Sequence, residues 1–305
     1  MDEIKLPDIQ NEYLNNSKVA NYISTNQGLI DQDICLELAT IPKKNIYVLV
    51  NLYSDEKLTL SNPNISPYDM AVMDAAFTLL SNGATAFTPE MIVRTMSGNM
   101  EQKVTPQKIG AVTRSLNKLK FIRIRIDCTD EMIARKKIKK GQTSSMESYL
   151  MPLDEVEVKL GNQKIMKGYS FSKYPVLYTY AINIGQIISV PRTLLETKGA
   201  LSDTDEAVVL KRYLIKRIEV MKNDKNNSRS RRITYEWYDK KDDKKKGMFH
   251  SLGYKPEEFS NWKKKKSNIH NDVKSILAVF VKEKYIKAFS EVKEGKSING
   301  IDITL

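Results

Sequence analysis

Between Ser66 and Pro106 the chain repeats one helix start signal three times, as Ser66-Pro67, Thr88-Pro89 and Thr105-Pro106. In each pair a hydroxyl can accept a hydrogen bond from a free amide of the first turn, and proline brings a φ already suited to the first helical position. After Ser66-Pro67, the apolar Met70, Met73, Ala76, Phe77 and Leu80 recur at helical spacing, and Asn82-Gly83 tolerates the left-handed conformation that ends a helix. A second, shorter run over Ile92, Val93 and Met96 stops at Gly98-Asn99. On the third, Ile109, Val112, Leu116 and Leu119 form one stripe, which leaves Gln107, Lys108, Ala111, Arg114 and Lys118 facing outward. Phe121 to Ile126 then alternates with period two, the pattern of a hairpin's first strand, with Arg123 and Arg125 on one face. The predicted order is helix, short helix, helix, hairpin.

A second stretch follows the same order. Ser202-Asp203-Thr204-Asp205-Glu206 places a cap and early acidic charge before an amphipathic helix with Val208, Val209, Tyr213, Leu214, Ile218 and Met221 on its apolar side. Arg231 to Tyr238 has strand composition, Met248 to Tyr254 suits a short helix, and Pro256-Glu257-Glu258 opens another helical run. On that run Trp262, Ile269, Val273, Ile276, Leu277, Phe280 and Val281 share a face, while Lys263, Lys264, Lys265, Lys266, Asn268, Asn271 and Lys274 lie mostly elsewhere. Tyr285 to Val292 and Ile298 to Leu305 read as two strands around a basic tip that carries Lys293 and Lys296. In both stretches the order resembles the winged helix-turn-helix superfamily.

The charge sits where such units would meet a polyanion. Of the net +12, residues 1–67 carry 5 basic and 9 acidic side chains, residues 68–200 carry 19 and 12, and residues 201–305 carry 25 and 16. The excess therefore falls in the two helix-hairpin stretches and favours nucleic acid as partner. Catalytic patterns are missing. With only His250 and His270 there is no histidine pair for a metal, and no GxxxxGK[ST] loop for a nucleotide. His270, on the basic helix, reads as a surface or base-contacting residue. The acids Asp127, Asp130 and Glu131 read as a turn, and Asp203, Asp205 and Glu206 as helix-start charge. Cys35 and Cys128 are too few for a metal knuckle or a disulfide framework. No apolar run approaches a membrane span, and the N-terminus lacks signal-peptide features, so the expectation is a cytoplasmic, non-enzymatic chain without cofactor or metal.

The joining segments are less explicit. Ala134 to Ser148, with Arg135, Lys136, Lys137, Lys139 and Lys140, reads as a basic loop between the strand at 121–126 and the strand-like Glu155 to Leu160. An expanded wing is the economical reading, its lysines reaching phosphates or the adjacent minor groove. Lys164 to Tyr169 and Val176 to Ile188 look strand-like and would extend the sheet. Residues 1–65 are acidic, with Ile46 to Val50 as their one clear strand, and form an arm, a dimerisation element or an added layer. The expected architecture is α+β: an N-terminal arm or extra strand over 1–65, a first winged-helix domain with expanded wing over 66–200, and a second over 201–305.

Two winged units in tandem, with TPEMIVRTMSGN, TPQKIGAVTRSLNKLKFIRIRI and WKKKKSNIHNDVKSILAVF as motifs, resemble the initiator proteins of iteron-containing plasmids over about residues 45 to 305. The resemblance implies that both domains bind double-stranded DNA, their recognition helices entering successive major grooves of one repeat, with the N-terminal domain supporting a homodimer. It implicates Gln107, Lys108, Arg114 and Lys118 in the first domain and Lys265, Lys266, Asn268, Asn271 and Lys274 in the second, and a replicative helicase or its loader as partner. A transcriptional regulator binding an operator and a non-enzymatic interaction protein stay open as alternatives.

Overall fold

The computed structural model describes residues 46–50, 58–62, 64–134, 136–159, 165–183, 187–196, 201, 204–223, 231–236, 247–295 and 297–305. They form a mixed, α+β arrangement of helices and short antiparallel sheets in two compact units, one running to Ser189 and the other from Val190, with Ser97–Asn99 belonging to the second.

The first unit contains β1 (Ile46–Val50), β2 (Leu58–Leu60), α1 (Pro67–Ser81), β3 (Ala86–Phe87), α2 (Pro89–Ser97), α3 (Pro106–Leu119), β4 (Arg123–Asp127), α4 (Thr129–Ala134), β5 (Ser145–Tyr149), β6 (Leu153–Lys159), β7 (Ile165–Phe171) and α5 (Val176–Asn183). Helix α1 begins in a reciprocal capping box, in which Ser66 Oγ accepts from the Asp69 amide at 3.1 Å and the Asp69 carboxylate accepts from the Ser66 amide at 2.9 Å. It is buried on nearly every side, Ala71, Val72 and Ala75 as well as the expected apolar stripe, because β1 covers one flank and α3 another. Strand β1 brings Tyr47, Val48 and Leu49 into this core, and the Val48 amide donates to Thr78 Oγ1 at 2.8 Å. Residues 46–50 are thus an added layer on the first unit; residues 1–45 lie outside the described residues.

Two three-stranded sheets flank these helices, ordered β2-β4-β5 and β3-β7-β6. This corrects the expected wing. Strand β4 pairs with β5, Arg123 opposite Tyr149 through Asp127 opposite Ser145, while the 153–159 strand pairs with β7. The reason is the closed base of the loop after β4. The Cys128 amide donates to the Ser144 carbonyl at 3.0 Å and the Ser144 amide to Thr129 Oγ1 at 2.9 Å, so the chain is already back beside β4 at Ser145. The acids read as a turn start a helix instead, where the Asp127 carboxylate accepts from the Thr129 amide at 2.9 Å. The strand-like run from Val176 is helix α5 up to Asn183; Tyr178 packs on Phe77 with ring centroids 5.3 Å apart, and this burial overrides the β-rich composition.

Strand β8 (Ile187–Pro191) pairs with β1 and carries the chain past Ser189 into a 3-10 turn at Arg192–Leu195. The second unit continues with α6 (Asp205–Lys222), β9 (Arg232–Thr234), α7 (Met248–Ser251), a 3-10 turn at Pro256–Glu258, α8 (Trp262–Lys282), β10 (Ala288–Glu294) and β11 (Ser297–Thr304). Thr204 caps α6 by accepting from the Ala207 amide at 3.1 Å. The fully buried Lys211 donates to the Leu195 carbonyl at 2.6 Å, which ties the passage after 190 to this unit and sets the division ahead of the expected boundary at 200. The helical run expected from Pro256 is only the 3-10 turn; α8 starts at Trp262 with Asn261 as its cap. Leu210, Leu214 and Ile218 of α6 join Ile269, Val273, Ile276 and Phe280 of α8 and Ile301 and Ile303 of β11 in the core.

The sheet of this unit runs β10-β11-β9, so the short strand between the helices adds to the last strand of the C-terminal hairpin. The first unit repeats that arrangement with β3 beside β7. In both, a glycine permits the approach: a Cβ on Gly168 would lie 2.9 Å from the Phe87 carbonyl oxygen, and one on Gly300 would lie 2.7 Å from that of Ile233.

Candidate nucleic-acid interface

Helix α3 is placed by Thr105, whose hydroxyl accepts from the Lys108 amide, and by Val112, Ser115, Leu116 and Leu119 on its buried side. Ile109 is only half-buried, and Ser115 takes a core position because its hydroxyl donates to Asp69 at 2.6 Å. On the solvent side Gln107 and Arg114 are exposed and Lys108 is half-exposed. Gly110 lies between them; a Cβ there would meet the Arg114 guanidinium at 3.6 Å. Lys118 departs from the expectation. Its ammonium turns inward and donates to Asp69 at 2.7 Å, on a carboxylate that is 7% exposed. Burial pushes the Asp69 pKa up, yet the hydrogen bonds from Lys118, Ser115 and Ser66 outweigh it and hold the group below its ordinary value.

Arg123 and Arg125 project from the outer face of β2-β4-β5, and Arg123 pairs with Glu147 at 3.1 Å. Lys136 and Lys137 are exposed just after α4, where their amides satisfy carbonyls of its last turn at 2.9 Å. These four cations therefore belong to the β4-β5 hairpin and its connection, in a sheet different from the one that holds β3. The hairpin joined to β3 is β6-β7, and its connection at 160–164 lies outside the described residues.

Helix α8 sorts its cations more sharply. Lys265 pairs with Glu206 at 2.7 Å and lies over the Phe259 ring at 5.5 Å, Lys266 pairs with Glu236, and Lys274 pairs with Glu291 at 3.0 Å. Each of these three was expected to face DNA, and each is paired with an acid from outside the helix. Lys263, Lys264, Asn268 and Asn271 are exposed as expected. With them on the solvent face stand Ser267, Ala278 and the half-exposed Ser275, which sequence reasoning passed over although they fall three, seven and four positions from Lys264 or Asn271 on the helix surface. Lys293 is exposed near the tip of the β10-β11 hairpin, and Lys296 lies outside the described residues.

The N-terminal half of α8 is anchored by rings. Phe249 packs edge-on to Trp262 with centroids 5.2 Å apart, and Phe259 packs on Trp262 at 5.6 Å. His270 is part of this cluster and not of the surface. It is 8% exposed, 4.2 Å from the Tyr235 ring centroid, and its Nε2 has no hydrogen-bond partner among the described residues. Burial, with Lys266 close by, depresses its pKa to about 4. Glu206 accepts from both Tyr254 Oη, at 2.5 Å, and Lys265, which fixes the start of α6 against the start of α8.

Among the described residues no cluster of three or more histidine, cysteine or acidic side chains could hold a metal ion, and no helix is long and apolar enough to cross a membrane. No family model and no curated protein matches the chain. Among solved structures, a crystal structure of domains 2 and 3 of RctB is similar at 8% identity, over 86% of this chain and 92% of that one. Its TM-score of 0.39 is too loose to define a shared fold.

Proposed function

We propose that this chain is a non-enzymatic, sequence-specific double-stranded DNA-binding protein built from two winged helix-turn-helix readers, and that it serves as a replication initiator of a plasmid or other mobile element at repeated origin sites. The observation that carries the reading is the solvent face of α8. Three of its lysines are held by acids, and outward on the helix stand Lys263, Lys264, Ser267, Asn268, Asn271, Ala278 and, in its last turn, Lys282. Short side chains let a helix sink into the major groove, asparagine can pair bidentately with adenine, and Lys263 and Lys264 at the helix start meet phosphates. The β10-β11 hairpin follows directly, with Lys293 near its tip. Helix α3 offers Gln107 and Arg114 as a second reading set. Two linked readers bind tightly through effective concentration even when each alone is modest. The initiator role rests on the tandem order and its resemblance to iteron-binding proteins; a helicase or its loader and a second copy of the chain are the partners that role implies.

Selection of bound fragments from the source replicon, followed by footprinting, tests the proposal. Evenly spaced repeats at an origin fit an initiator, whereas a single palindrome at a promoter fits an operator-binding regulator. Arg114→Ala is expected to cost about 1 to 3 kcal/mol and relax specificity, while Lys264→Ala weakens all sequences alike. An unchanged footprint and affinity for Arg114→Ala would sink the assignment of α3.

A further inference from the structure

Phe121 is 71% exposed and Tyr149 is 48% exposed, and these are the large apolar side chains left open among the described residues. Both lie at one end of the outer face of the β2-β4-β5 sheet. Phe121 shares its period-two face with Arg123 and Arg125, and Tyr149 sits directly opposite Arg123 across the ladder. The inner face buries Ile122, Ile124, Ile126 and Leu150, so the core uses neither ring. Between the rings and the chain after β7 lies a shallow groove of about 570 Å³, lined by Lys120, Phe121, Tyr149, Pro152, Leu153 and Lys173 among others. That volume suits a nucleotide-sized group.

The surrounding charge decides what the rings would meet. Glu155 is held by Lys120 and Glu147 by Arg123; Asp154 of the groove lining is exposed, as are the cations Arg125 and Lys173. At the far end of the same hairpin, Lys136, Lys137, Lys139 and Lys140 are exposed. From Phe121 to Asp127 the hairpin extends about 20 Å, enough for a short run of nucleotides. A protein partner would need a broad apolar patch, and two rings ringed by charges do not make one.

We infer that this face binds unpaired nucleic acid, with bases stacked on Phe121 and Tyr149 and phosphates held by Arg125, Lys173 and the 136–140 lysines. A duplex keeps its base faces hidden, so stacking on these rings requires single strand. The site uses neither α3 nor α8 and gives Arg123, Arg125, Lys136 and Lys137 a setting apart from the duplex readers. It is therefore separable from the proposed duplex function.

The test uses the full chain with a fluorescein-labelled oligothymidylate of about 15 nucleotides and, in parallel, the preferred duplex. Fluorescence anisotropy at low salt should show single-strand binding that drops about a hundredfold in Phe121→Ala/Tyr149→Ala, roughly tenfold per ring, with duplex affinity unchanged. Tyr149→Phe keeps a π face and should bind as the parent does. Phe121→Leu keeps apolar bulk without the π face and should lose as much as alanine. Failure of the parent chain to bind the oligonucleotide, or equal binding by the double variant, overturns the inference. So does a double variant that loses self-association in sedimentation while keeping single-strand affinity. Should the alanine variants fail to fold by circular dichroism, photocrosslinking the parent chain to an iodouracil-substituted strand decides: crosslinks at 121 or 149 support the site, and crosslinks elsewhere overturn it.

Discussion

Lys118→Ala removes an ammonium that sequence position assigns to DNA but that the fold turns inward to Asp69, so it separates a stability effect from a binding effect. The pair is 2.7 Å long, with the Asp69 side chain 7% and the Lys118 side chain 34% exposed. Breaking a fully buried pair costs about 3 to 5 kcal/mol, and a hydrogen bond to a charged group contributes about 1.5 to 3 kcal/mol. Water can reach the vacated side, and Asp69 keeps Ser115 and the Ser66 amide, so the discounted expectation is a loss of about 1 to 2 kcal/mol. Asp69→Ala removes the same pair, orphans the buried Ser115 hydroxyl and unmakes the capping box, and should cost about 3 to 4 kcal/mol. The double variant should be no less stable than Asp69→Ala, which gives a coupling of about 1 to 2 kcal/mol. Urea unfolding followed by far-ultraviolet circular dichroism measures all three. Duplex affinity of Lys118→Ala, measured under native conditions, should stay within about twofold of the parent because this ammonium is already engaged by Asp69. Unchanged stability combined with a fall in affinity as large as that of Arg114→Ala would refute the reasoning. The pH dependence supplies a further check. Since the folded-state pKa of Asp69 is lowered, its stabilisation is full above the ordinary carboxyl value of about 3.9 and is lost as pH falls through the lower folded value. Asp69→Asn should flatten that acid limb.

His270 titrates from about 4 in the fold against about 6.5 in the unfolded chain, so its contribution is full above pH 6.5 and fades as pH falls toward 4. Comparing His270→Phe with the parent at pH 7 and pH 4.5 should show the variant relatively more stable at the lower pH, by up to about 3 kcal/mol; equal differences at both values would contradict the burial argument. Asn271→Ala should leave the unfolding midpoint within about 0.5 kcal/mol while weakening preferred over random duplex by about 1 to 3 kcal/mol, and an equal loss on both sequences would remove Asn271 from base reading. Gly300→Ala puts a methyl 2.7 Å from the Ile233 carbonyl oxygen and should destabilise the chain by about 1 to 3 kcal/mol in denaturant; an unchanged midpoint would mean that β9 is free to move away.

Where the information was local, the sequence carried it. Ser66, Thr105 and Thr204 cap helices in the structure, and the apolar stripe of α8 is the face that is buried, because caps and amphipathic period depend on residues within a few positions of one another. Non-local pairings were not legible. Strand β4 chose β5 and not the 153–159 strand because Ser144 closes the loop on Cys128 and Thr129, and β3 is too short to announce itself. The run from Val176 carried strand composition into a helix because packing on Phe77 outweighs propensity.

The outward basic set divides in the same way. Sequence spacing determined which residues leave the core faces of α3 and α8, and Gln107, Arg114, Lys263, Lys264, Asn268 and Asn271 do stand on their open sides. Only the tertiary structure decided which cations are available there. Lys118, Lys265, Lys266 and Lys274 meet Asp69, Glu206, Glu236 and Glu291, each of them at least 17 residues away in the chain, and a charge is neutralised by what folding brings within a few ångströms of it, which periodicity along one helix does not encode.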